Sequence, residues 1–180
     1  MSKAIFLDRD GTINIDKCYV HKIEDLEFLP NAIEGLKKLQ REYKLIIITN
    51  QSGIARGFYT EKDYFTFRDE MHKKLRERGI LITAEYFCPH HPKGIIEKYK
   101  VYCNCRKPKI GMLEQAVKDF NLNLNECWMI GDNISDIGAG KNASCRTIHV
   151  LTGEQKEPIV YADFVAKDLI EVADYILNDP

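Results

Sequence analysis

Residues 4–12 read Ala-Ile-Phe-Leu-Asp-Arg-Asp-Gly-Thr, an apolar run that stops at two aspartates separated by one residue. A short apolar run is typical of a strand buried on both faces in a parallel sheet, and the polar residues after it mark the following loop. In open parallel α/β sheets, ligands bind in the crevice outside the carboxyl ends of the strands. We therefore expect Asp8 and Asp10 to lie at a functional site.

The same arrangement recurs farther along the chain. Residues 45–48 are Leu-Ile-Ile-Ile and run into Thr49, and residues 127–130 are Cys-Trp-Met-Ile and run into Gly131 and Asp132. Strand patterns alternate with helical patterns throughout, which is typical of parallel βα units. The sequence therefore predicts an α/β fold with a doubly wound, mostly parallel sheet and no cap domain. The polar strand ends are expected to meet at one edge of that sheet.

Two helix starts are marked by capping patterns. Asn31 is followed by Glu34 three residues later, and Thr60 is followed by Asp63. In a capping box, the side chain of the first residue accepts a hydrogen bond from the backbone N–H of the third helical residue. The side chain of that third residue accepts in turn from the backbone N–H of the first. We expect helices to begin at both places.

Composition excludes several classes of protein. Of 180 residues, 44% are hydrophobic and 29% are charged, and the formal net charge is −1. Nucleic-acid-binding domains usually carry a basic excess, so the charge argues against a nucleic-acid partner. No apolar run approaches the roughly 20 residues of a membrane helix, and no secretory signal pattern is present. We expect a cytoplasmic, monomeric protein with a single domain over residues 1–180 and no membrane partner.

The two aspartates that follow the first strand predict a cation, because carboxylates this close repel each other. Mg²⁺ is a hard cation that takes oxygen ligands. A phosphate charge about 4 Å from Asp8 would be repelled by on the order of 4 kcal/mol, which a cation and Lys107 would reverse. Thr49 can donate a hydrogen bond to the same phosphate. We predict phosphoryl transfer with Asp8 as nucleophile, Asp10 as general acid and base, and Asp132 as a further metal ligand.

A cluster of cysteines and histidines forms a second motif, with the spacing C-x-H-x₁₂-C-x-C. Three thiolates and one imidazole suit a tetrahedral, structural Zn²⁺ site. The loop of residues 88–107 lacks apolar periodicity, so a metal would supply its folding energy and fix Lys107 at its end. His91 is the alternative to His90, and a redox pair is the competing interpretation of Cys-x-Cys. The predicted zinc ligands are Cys88, His90, Cys103 and Cys105.

The first set of motifs, in this order along the chain, resembles the haloacid-dehalogenase-like phosphatases. The resemblance implies a Rossmann-like fold and hydrolysis through an aspartyl-phosphate on Asp8. It makes Asp10 the general acid and base, and it assigns Mg²⁺ to Asp8, the backbone carbonyl of Asp10 and Asp132. Thr49 and Lys107 would stabilise the phosphoryl group.

A narrower resemblance rests on residues 88–92, Cys-Pro-His-His-Pro, residues 103–108, Cys-Asn-Cys-Arg-Lys-Pro, and residues 49–57, Thr-Asn-Gln-Ser-Gly-Ile-Ala-Arg-Gly. These segments are similar to the D-glycero-D-manno-heptose 1,7-bisphosphate phosphatases, cytoplasmic Mg²⁺ enzymes with a structural zinc. The resemblance implies removal of the 7-phosphate of this small phosphorylated sugar, in the synthesis of nucleotide-activated heptose for lipopolysaccharide or surface glycans. It implies substrate contacts from Asp16, Tyr19, Asn50, Gln51, Ser52, Arg106 and Asn133.

Several alternatives stay open at this point. Histidinol-phosphate phosphatases have a similar zinc loop, although theirs is usually shorter. A non-catalytic, zinc-dependent binding module is the alternative from another class, and the retention of Asp8 and Asp10 argues against it. Asn133 stands where members of the resembled family often carry lysine, which weakens a phosphate-binding role there. Asp136 either orients the site or faces solvent.

Overall fold

The computed structural model describes residues 2–178, which form a parallel sheet with helices on both faces. The strands are β1 (Ala4–Leu7), β2 (Lys44–Asn50), β3 (Ile82–Cys88), β4 (Trp128–Gly131), β5 (Arg146–Val150) and β6 (Phe164–Ala166). The helices are α1 (Ala32–Leu39), α2 (Glu61–Glu77), α3 (Gly111–Phe120), α4 (Ile134–Asn142) and α5 (Leu169–Asn178). Within the described range, no helix has the length and apolar character needed to span a membrane.

The strand order is β3-β2-β1-β4-β5-β6, and all neighbouring pairs are parallel. The chain builds outward from β1 to β3 and then crosses back to place β4 on the other side of β1. At such a reversal, the loops leave the sheet in opposite directions and a ligand crevice opens between them. This confirms the predicted doubly wound α/β fold, and no cap domain is present among residues 2–178.

The side chains of β1 alternate between two cores, because successive residues of a strand point to opposite faces. Ile5 and Leu7 pack in the layer that contains α1, α2 and α5. Ala4 and Phe6 pack in the layer that contains α3 and α4. All four side chains are fully buried. The continuous apolar run therefore has a physical cause, since neither face of the central strand reaches solvent.

The two predicted helix caps have different outcomes. At α2 the capping box forms as predicted: Thr60 Oγ1 accepts from Asp63 N at 3.2 Å, and Asp63 Oδ2 accepts from Thr60 N at 2.8 Å. At α1 the predicted side-chain cap is wrong. Asn31 adopts a left-handed conformation with φ of 65°, and its side chain donates to Asp168 Oδ2 at 2.8 Å instead. A contact with the segment before α5 thus replaces the local hydrogen bond.

Candidate active site

Lys107 lies at the centre of the candidate site, although it comes from the loop between β3 and α3. Asn50, the last residue of β2, accepts a hydrogen bond from Lys107 N at 3.1 Å and donates to Lys107 O at 3.3 Å. The buried ammonium donates to Asp8 Oδ1 at 2.8 Å and to the Ile48 carbonyl at 2.7 Å. It also forms an ion pair with Asp136 Oδ1 at 2.6 Å. Lys107 therefore links β1, β2 and α4.

Three carboxylates surround this ammonium. Asp8, Asp132 and Asp136 each offer one oxygen, and these oxygens lie within 4.8 Å of one another. Burial and then the charge of Asp136 raise the pKa of Asp8 well above its usual range, although Lys107 opposes the shift. The same two causes raise the pKa of Asp132 to about 6. Three carboxylates against one ammonium leave an excess of negative charge, which fits a divalent cation with oxygen ligands.

The ammonium itself stays charged. Burial lowers the pKa of Lys107, but the charges of Asp136 and Asp8 outweigh burial and leave that pKa above its usual value. A buried lysine without such partners would lose its proton. Lys107 is therefore a fixed positive charge next to Asp8, as the stabilisation of a phosphoryl group requires.

The loop after β5 holds Asp132 in place, and the sequence reasoning missed this loop. Glu154 N donates to Asp132 Oδ2 at 2.8 Å, and Thr152 Oγ1 donates to the Gly11 carbonyl at 2.6 Å. Gly11 has φ of 78°, and a Cβ atom there would lie 2.6 Å from Asp132 Oδ2. The glycine that follows the two aspartates is thus required by both its backbone conformation and its contact with a carboxylate.

The Asp10 carboxylate has its own set of partners. Its Oδ2 accepts from Arg9 Nε at 3.1 Å, from Arg9 Nη2 at 2.8 Å and from Gln51 Nε2 at 3.2 Å. Its Oδ1 accepts from Asn14 Nδ2 at 2.9 Å. Gln51 Nε2 also donates to Thr49 Oγ1 at 2.8 Å. Asp8 and Asp10 therefore lie against different cations, and the sequence reasoning identified neither Arg9 nor Asn14.

Asp136 does not face solvent. It is fully buried, and its Oδ2 accepts from Asn133 N at 3.0 Å while Asn133 Oδ1 accepts from Ser135 N at 3.1 Å. Together these residues form the capping box of α4. The pattern Asn-x-x-Asp is a capping signal in the sequence and could have identified this arrangement. Of the two interpretations left open for Asp136, the geometry supports the one in which it orients the site.

A cavity of about 670 Å³ opens over this cluster. It brings together every residue that the sequence predicts for catalysis, substrate binding or the Mg²⁺ site. Glu154 and Lys156 also line it, and they come from the loop after β5 that the sequence reasoning did not include. The predicted residues in its lining are Asp8, Asp10, Asp16, Tyr19, Thr49, Asn50, Gln51, Ser52, Arg106, Lys107, Asp132 and Asn133.

The predicted zinc ligands converge in the loop before Lys107. Their Sγ atoms lie 3.1 to 3.5 Å apart, and His90 Nδ1 lies 3.3 Å from Cys105 Sγ. His91 instead contacts Arg56 Nη2 at 3.3 Å. The hydrogen bond between Cys105 and Cys88, together with those to Cys103 and His90, lowers the pKa of Cys105 to about 5 against the effect of burial. The donors that can hold a metal are Cys88, His90, Cys103 and Cys105.

Comparison with known proteins gives a consistent result. A family model described as HAD-hydrolase-like matches residues 104–172. The D-glycero-β-D-manno-heptose-1,7-bisphosphate 7-phosphatase of Haemophilus ducreyi is 42% identical over 97% of this chain and 98% of its own. The corresponding α-anomer 7-phosphatase of Campylobacter jejuni is 46% identical over 97% and 95%. The D,D-heptose 1,7-bisphosphate phosphatase of B. bronchiseptica, solved with magnesium and phosphate, superposes with a TM-score of 0.86 at 29% identity over 100% of both chains.

The fold, the ordered motifs and these similarities make the chain a member of the haloacid-dehalogenase-like hydrolases. Within that class, it belongs to the D-glycero-D-manno-heptose-1,7-bisphosphate 7-phosphatase family. Both resemblances drawn from the sequence are confirmed.

The raised pKa of Asp132 predicts how stability depends on pH without divalent cations. An aspartate of pKa about 6 when folded and about 3.9 when unfolded binds its proton first in the folded state. Its contribution to stability is complete below the unfolded pKa and is lost as the pH rises through 6. When the pH falls from 7 to 5, the free energy of unfolding of the wild type should therefore rise by about 1 kcal/mol relative to that of Asp132→Asn.

Urea unfolding in the presence of chelator measures this difference. Asp132→Asn is a matched control, because the amide oxygen can still accept from Glu154 N. Saturating Mg²⁺ should abolish the gain, because a bound cation keeps the carboxylate ionised. Parallel pH profiles for the two proteins in chelator would contradict the assignment.

Proposed function

We propose that this protein is a Mg²⁺-dependent phosphatase that removes the 7-phosphate of D-glycero-D-manno-heptose 1,7-bisphosphate. The observation that carries the proposal is the position of Asp8, a carboxylate on the cavity wall whose Oδ1 is bound by the Lys107 ammonium at 2.8 Å. Identity of 42% over nearly the whole length of a 7-phosphatase supports the substrate. The magnesium and phosphate in the related solved structure support the metal and the reaction.

The reaction begins when Asp8 attacks the phosphorus through Oδ2, because Oδ1 is engaged by Lys107. The new bond from Asp8 to phosphorus forms while the bond from phosphorus to the sugar oxygen breaks, and Asp10 gives its proton to the leaving alkoxide. Asp10 then takes a proton from the water that attacks the aspartyl-phosphate. Phosphate leaves and Asp8 is regenerated. Thr49 and Lys107 stabilise the charge on the transferred phosphoryl oxygens.

Asp8, Asp132 and the backbone carbonyl of Asp10 are the groups that would hold Mg²⁺. The fit rests on the excess of carboxylates over ammonium groups in the cluster. When bound, the cation supplies positive charge that offsets the repulsion between the carboxylates and the phosphate. Asp136 contributes by holding Lys107 at 2.6 Å, so that the ammonium stays beside the transferred phosphoryl group.

A structural Zn²⁺ held by the four donors of the 88–107 loop is part of the proposal. Tetrahedral Zn–S bonds of about 2.3 Å place sulfur atoms about 3.8 Å apart, somewhat farther than the donors lie here. The lowered pKa of Cys105 supports a thiolate in the cluster. Arg106 and Lys107 follow the last donor directly, so the metal would fix the position from which Lys107 enters the active site.

Arg106 is the proposed contact for the second phosphate of the substrate. It lines the cavity beside Lys107, and its Nη1 donates to the His90 carbonyl at 3.4 Å. Within the described part of the chain this is the one hydrogen bond of the guanidinium, so its other N–H groups are available for phosphate oxygens, which arginine can bind in pairs. Asp16, Tyr19, Gln51 and Ser52 also line the cavity and would contact the sugar.

The setting of this activity is proposed from composition and chemistry. The six cysteines are free, which supports a reducing compartment such as the cytoplasm. The formal net charge of −1 supports a small phosphorylated sugar rather than a nucleic acid as partner. The monomeric state, the single domain over residues 1–180 and a substrate-binding role for Asn133 stay predictions.

Asp8→Asn should lower turnover of the heptose bisphosphate by at least about a thousandfold, because an amide cannot form the acyl-phosphate. The measurement is phosphate release with both anomers and, in parallel, with histidinol phosphate. Asp25→Asn, on the short turn Ile23–Asp25, is the matched control and should keep wild-type rates. Faster turnover of histidinol phosphate than of either anomer by the wild type would favour the alternative substrate.

Elemental analysis should find one zinc per chain in freshly purified protein. Cys103→Ser should lose the metal and make residues 89–107 sensitive to protease, because this loop lacks the apolar periodicity needed to form a core of its own. Cys18→Ser is the control, since Cys18 is exposed and lies outside the donor cluster. Zinc retained at one per chain in Cys103→Ser would rule out the ligand set.

Arg106→Ala should reduce kcat/KM for the sugar bisphosphate by roughly 10- to 150-fold, the value of a charge-assisted hydrogen bond of about 1.5–3 kcal/mol. It should leave p-nitrophenyl phosphate nearly unaffected, because this substrate has no second phosphate. Lys107→Ala should impair both substrates. Lys109→Ala, an exposed lysine outside the cavity lining, is the matched control. Equal losses on both substrates for Arg106→Ala would exclude the role.

A further inference from the structure

Arg9, the residue between the two aspartates of the motif, is completely buried beneath the active site. Its Nη2 donates to Asp10 Oδ2 at 2.8 Å and to the Val20 carbonyl at 2.7 Å, and its Nε donates to Asp10 Oδ2 at 3.1 Å. The guanidinium carbon lies 4.7 Å from the centre of the Phe67 ring. Arg9 thus bridges the Asp10 carboxylate, the loop after β1 and helix α2.

A buried guanidinium is costly unless a counter-charge and hydrogen bonds compensate it. Here the counter-charge is Asp10, whose side chain is 20% exposed towards the cavity. Packing of the hydrophobic core gives no reason for a cation at this position, and among residues 2–178 Arg9 Nη1 has no hydrogen-bond partner. The arrangement therefore fixes Asp10, although it leaves the buried guanidinium of Arg9 imperfectly paired.

The two oxygens of Asp10 are held unequally. Oδ2 accepts three N–H bonds, two from Arg9 and one from Gln51, which fill its lone pairs. From the described residues, Oδ1 accepts one bond, donated by Asn14. Only Oδ1 keeps a lone pair free to exchange a proton with a group in the cavity.

We propose that Arg9 is a positioning residue that clamps Oδ2 of Asp10 and so directs Oδ1 towards the leaving oxygen and the attacking water. The inference rests on the proposed function, because it assumes that Asp10 is the general acid and base. The bond to Val20 ties this clamp to the loop that carries Asp16 and Tyr19 into the cavity. The acid and base oxygen therefore keeps a constant position relative to the substrate-binding loop.

Arg9→Met should make the reaction depend more strongly on the leaving group. An unactivated leaving oxygen needs a proton from Asp10, whereas p-nitrophenolate leaves as a stable anion. We expect kcat/KM for phenyl phosphate to fall about 10- to 100-fold more than for p-nitrophenyl phosphate, which is part of the roughly 10²- to 10⁴-fold that general acid catalysis contributes. The two substrates have similar size, so a general disturbance of the site would affect them equally.

The second half-reaction provides an independent readout. Water attack on the aspartyl-phosphate needs Asp10 as base whatever group has left. With p-nitrophenyl phosphate, Arg9→Met should therefore keep kcat/KM but lose kcat, with a burst of about one p-nitrophenolate per site. The proposal would be overturned if Arg9→Met melts cooperatively, shows no burst and loses the same fraction of kcat/KM on phenyl phosphate and on p-nitrophenyl phosphate.

Two further variants separate positioning from stability. Arg9→Lys keeps the charge, but one ammonium cannot replace the paired Nε and Nη2 donors on Asp10 Oδ2, so a smaller shift in the same direction is expected. This variant serves if Arg9→Met does not fold. Phe67→Leu removes the ring beside the guanidinium without a contact to Asp10, and it should lower stability while keeping the wild-type leaving-group dependence.

The aryl phosphates keep this test separate from that of the natural substrate. If the wild type does not hydrolyse the heptose bisphosphate but the Arg9 variants change the leaving-group dependence, only the proposed function is contradicted. A wild type that hydrolyses the bisphosphate, with Arg9 variants that change no leaving-group dependence, would contradict only the role of Arg9.

Discussion

The Lys107 ammonium lies 2.8 Å from Asp8 and 2.6 Å from Asp136, and the rest of the active site depends on this buried charge. Without it, the carboxylates would be left uncompensated, a change that typically costs about 3–5 kcal/mol in a protein interior. Lys107 also comes from a loop rather than from the sheet. Its position is set by Asn50 at the end of β2 and, under the proposed function, by a zinc ion two residues upstream at Cys105.

The two aspartates of the motif are close in sequence but lie in different environments. Asp8 is held against Lys107, and Asp10 is held against Arg9. The separation suits two different roles, because a nucleophile needs a free carboxylate oxygen beside the phosphate and an acid and base needs an oxygen that can exchange a proton. One structural cation for each carboxylate keeps the two roles from interfering, and a divalent metal is required for the charge that remains.

The parts of the fold that the sequence predicted are those with local causes. The apolar run of residues 4–7 required burial on both faces, which placed it at the centre of a parallel sheet. Thr60 and Asp63 formed their capping box because both partners belong to the same turn. Motif order and the topological rule for α/β sheets then sufficed to predict that Asp8, Thr49 and Asp132 meet at one edge of the sheet. The spacing of the cysteines and His90 anticipated their convergence in the same way.

By itself, the sequence determined the strands, the sheet class and most of the polar residues that line the cavity, because these follow from short-range patterns and strand ends. Only the tertiary structure decided which cation each carboxylate meets and which oxygen stays free. The Asn31 side chain bonds Asp168 instead of capping α1. Arg9 is buried beneath Asp10, and the loop of residues 151–156 donates a hydrogen bond to Asp132. The contacts of Asn31 and Asp132 join segments far apart in the chain, and Arg9 is buried against the Val20 carbonyl and the Phe67 ring. At these places burial and charge compensation outweigh local preference.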